Sequence, residues 1–194
     1  ASGYFSVVDN RRYAAVRAYN STVKETIFRR YMYGKPSGLG LASGQGQDLR
    51  RWFESNVRHL TLVERDPQAI FEIINRKHTL VRGSGKIRPV ANMRTNLRVA
   101  RLDLAARDIV KSMIDLGFNR NVTVIHCALA IHYFTGSTNS VRLFVDIIEQ
   151  TLAPGGWFVF SSFDGQRVLD LLRANAGTWA TNDGKYRIEW VGPG

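Results

Sequence analysis

Residues 127–137 read CALAIHYFTGS. A run of small apolar residues ends in His132 and Tyr133, just before a Thr-Gly-Ser turn. An imidazole beside a phenol can exchange protons or can recognise a ligand, and it is also an ordinary structural pair. Which it is depends on what else lies nearby. Glu64 and Asp66 follow the apolar stretch HLTLV, where an acid can accept both hydroxyls of a ribose. The alternative for Asp66 is a helix N-cap ahead of Pro67. Asp103 follows LRVARL and can accept a hydrogen bond from an adenine amino group, or can cap a helix beginning LAARDIV. In ASGQGQDL, Gly44 and Gly46 allow close approach of the backbone to a ligand. Asn20 and Lys24, four residues apart, project from one helix face. Solvation alone is the ordinary explanation for Lys24 in so basic a segment.

The elements that must position these residues follow from periodicity. Residues 10–32 read as a basic helix, with Tyr13, Val16, Tyr19, Val23, Ile27 and Met32 at near-helical spacing. GLGLAS (38–43) reads as a buried strand, and GQGQDLRRWFE turns into a helix. HLTLVERD is a second strand, and Pro67 opens a helix through Lys77. His78 to Arg98 shows no clear period and reads as a basic loop or insertion. LRVARLD is a third strand, followed by a helix ending at Gly117. NVTVIHCALAI is the fourth strand, and a helix with Ser or Thr N-cap candidates follows it. A Pro-Gly-Gly turn leads into a fifth strand, GGWFVFSSF, and GQRVLDLLRAN is a helix. A hairpin is predicted about Asn182-Asp183-Gly184. This alternation predicts an α/β fold with a mostly parallel, doubly wound sheet and helices on both faces. In such sheets ligands bind beyond the carboxyl ends of the strands.

The chain has 194 residues, 44% hydrophobic and 22% charged, which suits one globular domain. We read 1–37 as a basic helical segment, 38–174 as the α/β core with a basic insertion at 77–98, and 175–194 as a hairpin. No apolar run approaches the roughly 18 residues a bilayer span needs, no signal-peptide pattern is seen, and no membrane partner is expected. The single cysteine, Cys127, excludes an internal disulfide framework and a Cys-rich zinc site, and suggests a reducing compartment. The net charge of +11 is unevenly placed. Arg76 to Leu102 contains eight Lys or Arg residues and no acid. Asn10 to Ser37 contains seven, against Glu25 alone. Clustered cations of this kind suit a nucleic-acid backbone, and a solvated basic face is the alternative.

Taken together, the motifs resemble the messenger-RNA cap guanine-N7 methyltransferases, in particular those of large cytoplasmic DNA viruses of the poxvirus and African swine fever virus type. The resemblance runs from about Arg17 to Leu172. RAYNSTVKETIF is similar to the family's Asn-rich first helix, LASGQGQDLRRW to its glycine loop with Asp48 and Trp52 in register, and VERDPQAI to the viral form after the second strand. ALAIHYF resembles the His-Tyr signature. LDLA, TLAPGG before the fifth strand and SSFDGQRVLDLL after it complete the pattern.

The resemblance implies a Rossmann-like class I fold and S-adenosylmethionine as cofactor. It places Lys24 at the methionine carboxylate, Ala42, Gly44 and Gly46 along the cofactor with Asp48 in register beside them, and Asp66 at the ribose; Glu64 is expected at the cofactor from its place at the end of the second strand. Asp103 would meet the adenine amino group, with Ala128 and Leu129 around adenine and methionine. Asn20, His132, Tyr133 and Phe163 would surround the cap guanine. Capped RNA would be the substrate, with the basic stretches holding the triphosphate and RNA backbone. Triphosphatase and guanylyltransferase domains upstream, a stimulatory subunit, and a location in host cytoplasm or virion are further implications.

The sequence also departs from the pattern. Gly40 stands where the family has an acid, Ala42 where it has the first loop glycine, and Gln47 at a usually small position. Ala128 and Leu129 replace a Gln and an aromatic, and Glu189 is the one candidate for the acid of the cap-binding lobe. Such changes suggest weaker or rearranged cofactor contacts, and the hairpin can be read as a shortened lobe. Guanine N7 carries no proton and the sulfonium methyl is already activated, so no catalytic acid, base, nucleophile or metal is expected; alignment suffices. Other readings are a methyltransferase for a different target, a nicotinamide-dependent oxidoreductase, and an RNA-binding module without activity.

Overall fold

The structure is a computed structural model, and it describes residues 14–91, 93–182, 184 and 187–191. The predicted helix positions 10–13 (Tyr13 among them) and Asp183 of the predicted turn lie outside the described residues.

Five parallel strands form the sheet: β1 (Ser37–Leu41), β2 (His59–Glu64), β3 (Asn96–Arg101), β4 (Val122–Ala128) and β5 (Leu152–Ser161). Their order is β3-β2-β1-β4-β5, with every pairing parallel. The expected doubly wound α/β architecture is present, and the order reverses between β1 and β4. One face packs Leu60, Leu62 and Val124 against α2 (Leu49–Glu54) and α3 (Pro67–Arg82). The other packs Leu39, Leu41, Ile125 and Cys127 against α4 (Ile109–Asp115) and α5 (Thr138–Thr151). The central strands are apolar on both sides because both sides are covered.

Local chemistry sets several boundaries. The Asp66 carboxylate accepts from the Gln68 amide at 2.9 Å and caps α3, with Pro67 at its first position. Ser137 caps α5 and Asp164 caps α6 (Gly165–Ala174) in the same way. In β1, a Cβ on Gly38 would lie 2.7 Å from Trp52 Cζ3, and one on Gly40 would lie 2.6 Å from Leu62 Cδ2. The Trp52 ring therefore packs onto a strand stripped of side chains.

Four expectations are corrected. The helix predicted to stop at Lys77 runs to Arg82, where Gly83 at φ +76° ends it, so the irregular basic segment is 83–95. Buried Ile73 and Leu80 hold the extra turns to the core. The helix predicted to begin at Leu104 begins at Ile109; Asp103 instead caps a turn through the Ala105 amide. Pro154-Gly155-Gly156 does not precede the fifth strand but bulges within it, where the pairing register shifts between Val122 and Val124. α1 (Ala14–Ile27) buries none of its residues: Val16 and Tyr19 are exposed, and only the following π-helical turn Phe28–Met32 enters the core, through Phe28 and Met32.

The predicted terminal hairpin pairs β6 (Thr178–Ala180) antiparallel with β7 (Arg187–Glu189). Glu189 pairs with Arg187 at 2.6 Å.

Candidate functional site

A cleft of about 1140 Å³ opens at the carboxyl ends of β1 to β4, across the reversal in strand order. All ten residues expected at the cofactor line it: Lys24, Ala42, Gly44, Gly46, Asp48, Glu64, Asp66, Asp103, Ala128 and Leu129. Of the four expected at the guanine, Tyr133 lines it; Asn20, His132 and Phe163 do not.

The loop after β1 is shaped by backbone and by one acid. Ser43 Oγ donates to the Gly40 carbonyl at 3.0 Å, and the Ser43 amide donates to the Val63 carbonyl at 3.1 Å. The buried Glu64 carboxylate accepts from the Gly44 amide at 2.7 Å and from the Arg65 and Asp66 amides at 2.9 and 3.1 Å. Glu64 thus ties the glycine loop to the end of β2. Ala42 at φ +49° and Leu129 at φ +53° occupy the left-handed region, which is uncommon for residues with a Cβ. The Leu129 amide donates to the Ser161 carbonyl at 2.9 Å, which fixes the bend where β4 ends. Backbone of this kind at paired strand ends is a frequent property of binding sites.

Across the loop, Lys24 Nζ lies 2.7 Å from Asp48 Oδ2, each side chain 15% exposed. Asp48 sits at the N-cap of α2 but makes no capping bond there; its second oxygen accepts from Arg51 Nη1 at 3.2 Å. Arg51 Nη2 also donates to Ser21 Oγ at 2.6 Å, and Arg51 Nε lies 3.8 Å from Glu25 Oε2. Polar contacts therefore tether α1 along one side of the cleft. Lys24 is held by a carboxylate rather than solvated, because Asp48 and Arg51 are brought beneath α1 by the fold.

The cleft floor holds a residue that the sequence reading passed over. His126 is buried in β4, register partner of Gly40 in β1. Its ring meets Phe28 edge-on at 5.1 Å and Trp52 at 6.0 Å. Its Nε2 has no hydrogen-bond partner among the described residues. Burial pushes its pKa down from 6.5 to about 4; the Asp48 charge opposes this and the Lys24 charge adds to it. The imidazole is neutral at pH 7. The available signal was a histidine inside an otherwise apolar strand, VTVIHC. Arg51, Arg65 and Arg101 were also unremarked, and the latter two line the cleft.

His132 and Tyr133 do not end the strand. They lie on a single 3-10 turn, Ile131–Phe134, with ring centroids 4.2 Å apart and planes at 48°. His132 is exposed beside the lining Tyr133. Phe163, two residues past β5, is 73% exposed. Asp103 lines the cleft while engaged with the Ala105 amide at 2.9 Å and with Arg65 Nη1 at 3.8 Å. The basic segment 83–95 is at the amino-terminal end of the sheet, between the end of α3 and the start of β3, and so opposite the cleft. It does not line the cleft; of the two basic stretches, Lys24 and Arg101 do.

Comparison with known proteins agrees with this architecture. The chain is 31% identical over 178 residues to an mRNA-capping enzyme of African swine fever virus (isolate Tick/South Africa/Pretoriuskop Pr4/1996), covering 89% of this chain and 20% of that protein. It is 23% identical over 192 residues to a probable mRNA-capping enzyme of Acanthamoeba polyphaga mimivirus, covering 90% of this chain and 16% of that protein. The chain therefore spans about a fifth of the length of the curated relatives it matches. No protein-family model matches. Among solved structures, the N-methyltransferase NodS of Bradyrhizobium japonicum WM9 superposes with a TM-score of 0.54 at 18% identity, over 76% of this chain and 71% of that one. The glycopeptide N-methyltransferase MtfA, solved with S-adenosyl-L-methionine, gives 0.51 at 16% identity, over 73% and 53%. The fold is that of the class I S-adenosylmethionine-dependent methyltransferases.

Proposed function

We propose that this chain is the methyltransferase unit of an mRNA-capping enzyme and that it methylates N7 of the cap guanine, with S-adenosylmethionine as methyl donor. The supporting observation is that one cleft at the strand-order reversal gathers all ten positions expected at the cofactor, with Tyr133 beside them. The residues present suit that group. Left-handed backbone at Ala42 and Leu129 keeps two strand ends open, a cation and an acid face each other at Lys24 and Asp48, and two further acids close β2. A Cβ on Gly46 would meet Ile73 Cγ1 at 2.9 Å, so this part of the loop accepts only bare backbone.

When bound, S-adenosylmethionine supplies a methyl group already activated by a sulfonium. The protein's task is then to hold two ligands in line. Lys24 would hold the ligand carboxylate and Asp66 the ribose, with Glu64 fixing the loop beside the ribose through the Gly44, Arg65 and Asp66 amides. Asp103 would accept from the adenine amino group, and Ala128 and Leu129 would border the adenine and methionine. Tyr133, which lines the cleft, would pack against the guanine, with His132, Asn20 and Phe163 outside the cleft lining. No general base is required, because N7 presents a lone pair. His126, neutral and flanked by aromatic rings, serves as floor rather than as proton carrier.

The test is incubation of the chain with labelled S-adenosylmethionine and capped RNA. Label recovered as 7-methylguanosine supports the reading. A second reading, methylation of another nucleic-acid target, draws on the position of His132, Asn20 and Phe163 outside the cleft. Label in uncapped RNA but not in the cap would favour it. Absence of cofactor binding by calorimetry would favour an RNA-binding module. Triphosphatase and guanylyltransferase domains in the same polypeptide, a stimulatory subunit, and action in the host cytoplasm or virion belong to the same proposal. Among the described residues, no helix is long and apolar enough to cross a membrane.

A further inference from the structure

We infer that the amino-terminal end of the sheet, on the side of the molecule opposite the cleft, is a second RNA site: it binds the phosphate backbone of single-stranded RNA, downstream of the reacting nucleotide and without reading sequence. The inference rests on the RNA-substrate part of the reading above, not on the identity of the methylated atom.

All five strands are parallel, so the segments entering them lie together at one edge. Arg82 ends α3, Lys86 lies within the tight Ser84–Ile87 turn and Arg88 follows it, and Arg94 precedes β3. Arg58 precedes β2. Main-chain bonds make these one surface. The Asn96 amide donates to the Arg58 carbonyl at 2.7 Å, the Arg58 amide to the Lys35 carbonyl at 3.2 Å, and the Val90 amide to the Leu80 carbonyl at 2.8 Å. Arg50 donates to the Arg88 carbonyl and holds the turn in place. The side chains of Arg58, Arg82, Lys86, Arg88 and Arg94 are exposed, and none makes an ion pair among the described residues. Nearby Glu54 is engaged by Arg50 at 2.9 Å.

Five uncompensated cations on one face repel each other and are relieved by a polyanion. Composition indicates which. From Arg76 to Leu102 there is no Phe, Tyr or Trp. This segment lacks the aromatic platforms on which bases stack, and the exposed Tyr33, two residues before Lys35, lies at the border of the surface, so the contact of the cationic segment is to phosphates. A strand of six residues separates it from the cleft, roughly 20 Å. That is too far for a triphosphate joined directly to the guanosine. The transcript must pass around the sheet edge at β3 before its backbone reaches this face.

The experiment measures binding of an uncapped single-stranded RNA, long enough to span the molecule, by fluorescence anisotropy over a range of salt. Arg82→Ser/Lys86→Ser/Arg88→Ser is compared with the natural chain and with the charge-matched Arg107→Ser/Arg142→Ser/Arg173→Ser. The first variant is expected to lower the slope of log K against log salt by about 2, three phosphates at roughly 0.7 each. The second is expected to change it little. Cofactor affinity by calorimetry and the far-ultraviolet spectrum stay unchanged in both, which separates loss of the surface from loss of fold. Equal slopes in the two variants would overturn the inference, because net charge alone would explain binding. Displacement of the RNA by a polyglutamate peptide of matched charge, at equal concentration, would overturn it in favour of an acidic protein partner. If the chain shows no cap methylation yet binds RNA through this face, the inference stands and the N7 reading falls.

Discussion

Titration of His126 is the sharpest physical consequence of the cleft floor. In the unfolded chain an imidazole titrates near 6.5; in the fold, burial between Phe28 and Trp52 lowers this to about 4, with Asp48 pulling it up and Lys24 pushing it down. The folded state therefore resists a proton that the unfolded state accepts. Above pH 6.5 the residue adds no pH dependence. As pH falls from 6.5 toward 4, stability is lost, and below 4 the loss is complete. The gap of about 2.5 units corresponds to about 3 kcal/mol in full, of which about 2 kcal/mol is lost between pH 7 and pH 5. Groups elsewhere in the chain also take up protons in acid, so the comparison must isolate the imidazole. His126→Phe replaces it with an apolar ring among aromatic neighbours. Urea unfolding followed by tryptophan fluorescence at pH 7, 6 and 5 gives the free energy of each protein, with the denaturant slope m checked for constancy. The natural chain is expected to lose about 2 kcal/mol more than His126→Phe over that interval. Parallel pH profiles would refute the reasoning, since they would mean that His126 is solvated or partnered in solution.

Further predictions follow from the same geometry. Lys24→Ala should weaken S-adenosylmethionine binding about tenfold or more, as expected for losing a charge-assisted hydrogen bond; His132→Ala should leave calorimetric affinity intact and lower cap methylation. Equal loss of cofactor affinity in both would remove that division of roles. Gly40→Asp should lower stability by about 1–3 kcal/mol or more in chemical denaturation, because its Cβ would press on Leu62 and Ser43 Oγ. The Cys127 thiol, pushed up to about 12 by burial, should react with iodoacetamide at pH 8 only as fast as the protein unfolds; reaction at the rate of a free thiol would contradict its placement.

The alternation of short apolar runs with helical spacing was enough to fix a parallel α/β sheet, because burial on both faces leaves that mark on each strand separately. The positions of the glycine loop, Glu64, Asp66 and Asp103 beside the cleft were legible because the fold class places ligands at strand ends, and strand ends can be read locally; Leu129 was named only through the family resemblance. The exposed length of α1 was not legible: near-helical spacing of Val16 and Tyr19 records a pattern but not whether anything covers it. The side of the sheet on which the basic segment lies was likewise not legible, since charge density carries no direction. The chain has to run α3 from the cleft end of the sheet to the other end before Arg82, Lys86 and Arg88 face away from the ligand.

Tertiary structure also decided the partners. Gly40 and His126 are 86 positions apart in sequence, and only the β1–β4 pairing makes them neighbours. That adjacency explains both a bare glycine and a buried imidazole, because Trp52 packs over the strand and Phe28 closes against the ring. Lys24 and Asp48 became an ion pair for the same reason. Residue types and their spacing determined which element each side chain sits on. The order of strands determined which side chains meet, because contacts between distant segments depend on pairing that no local period records.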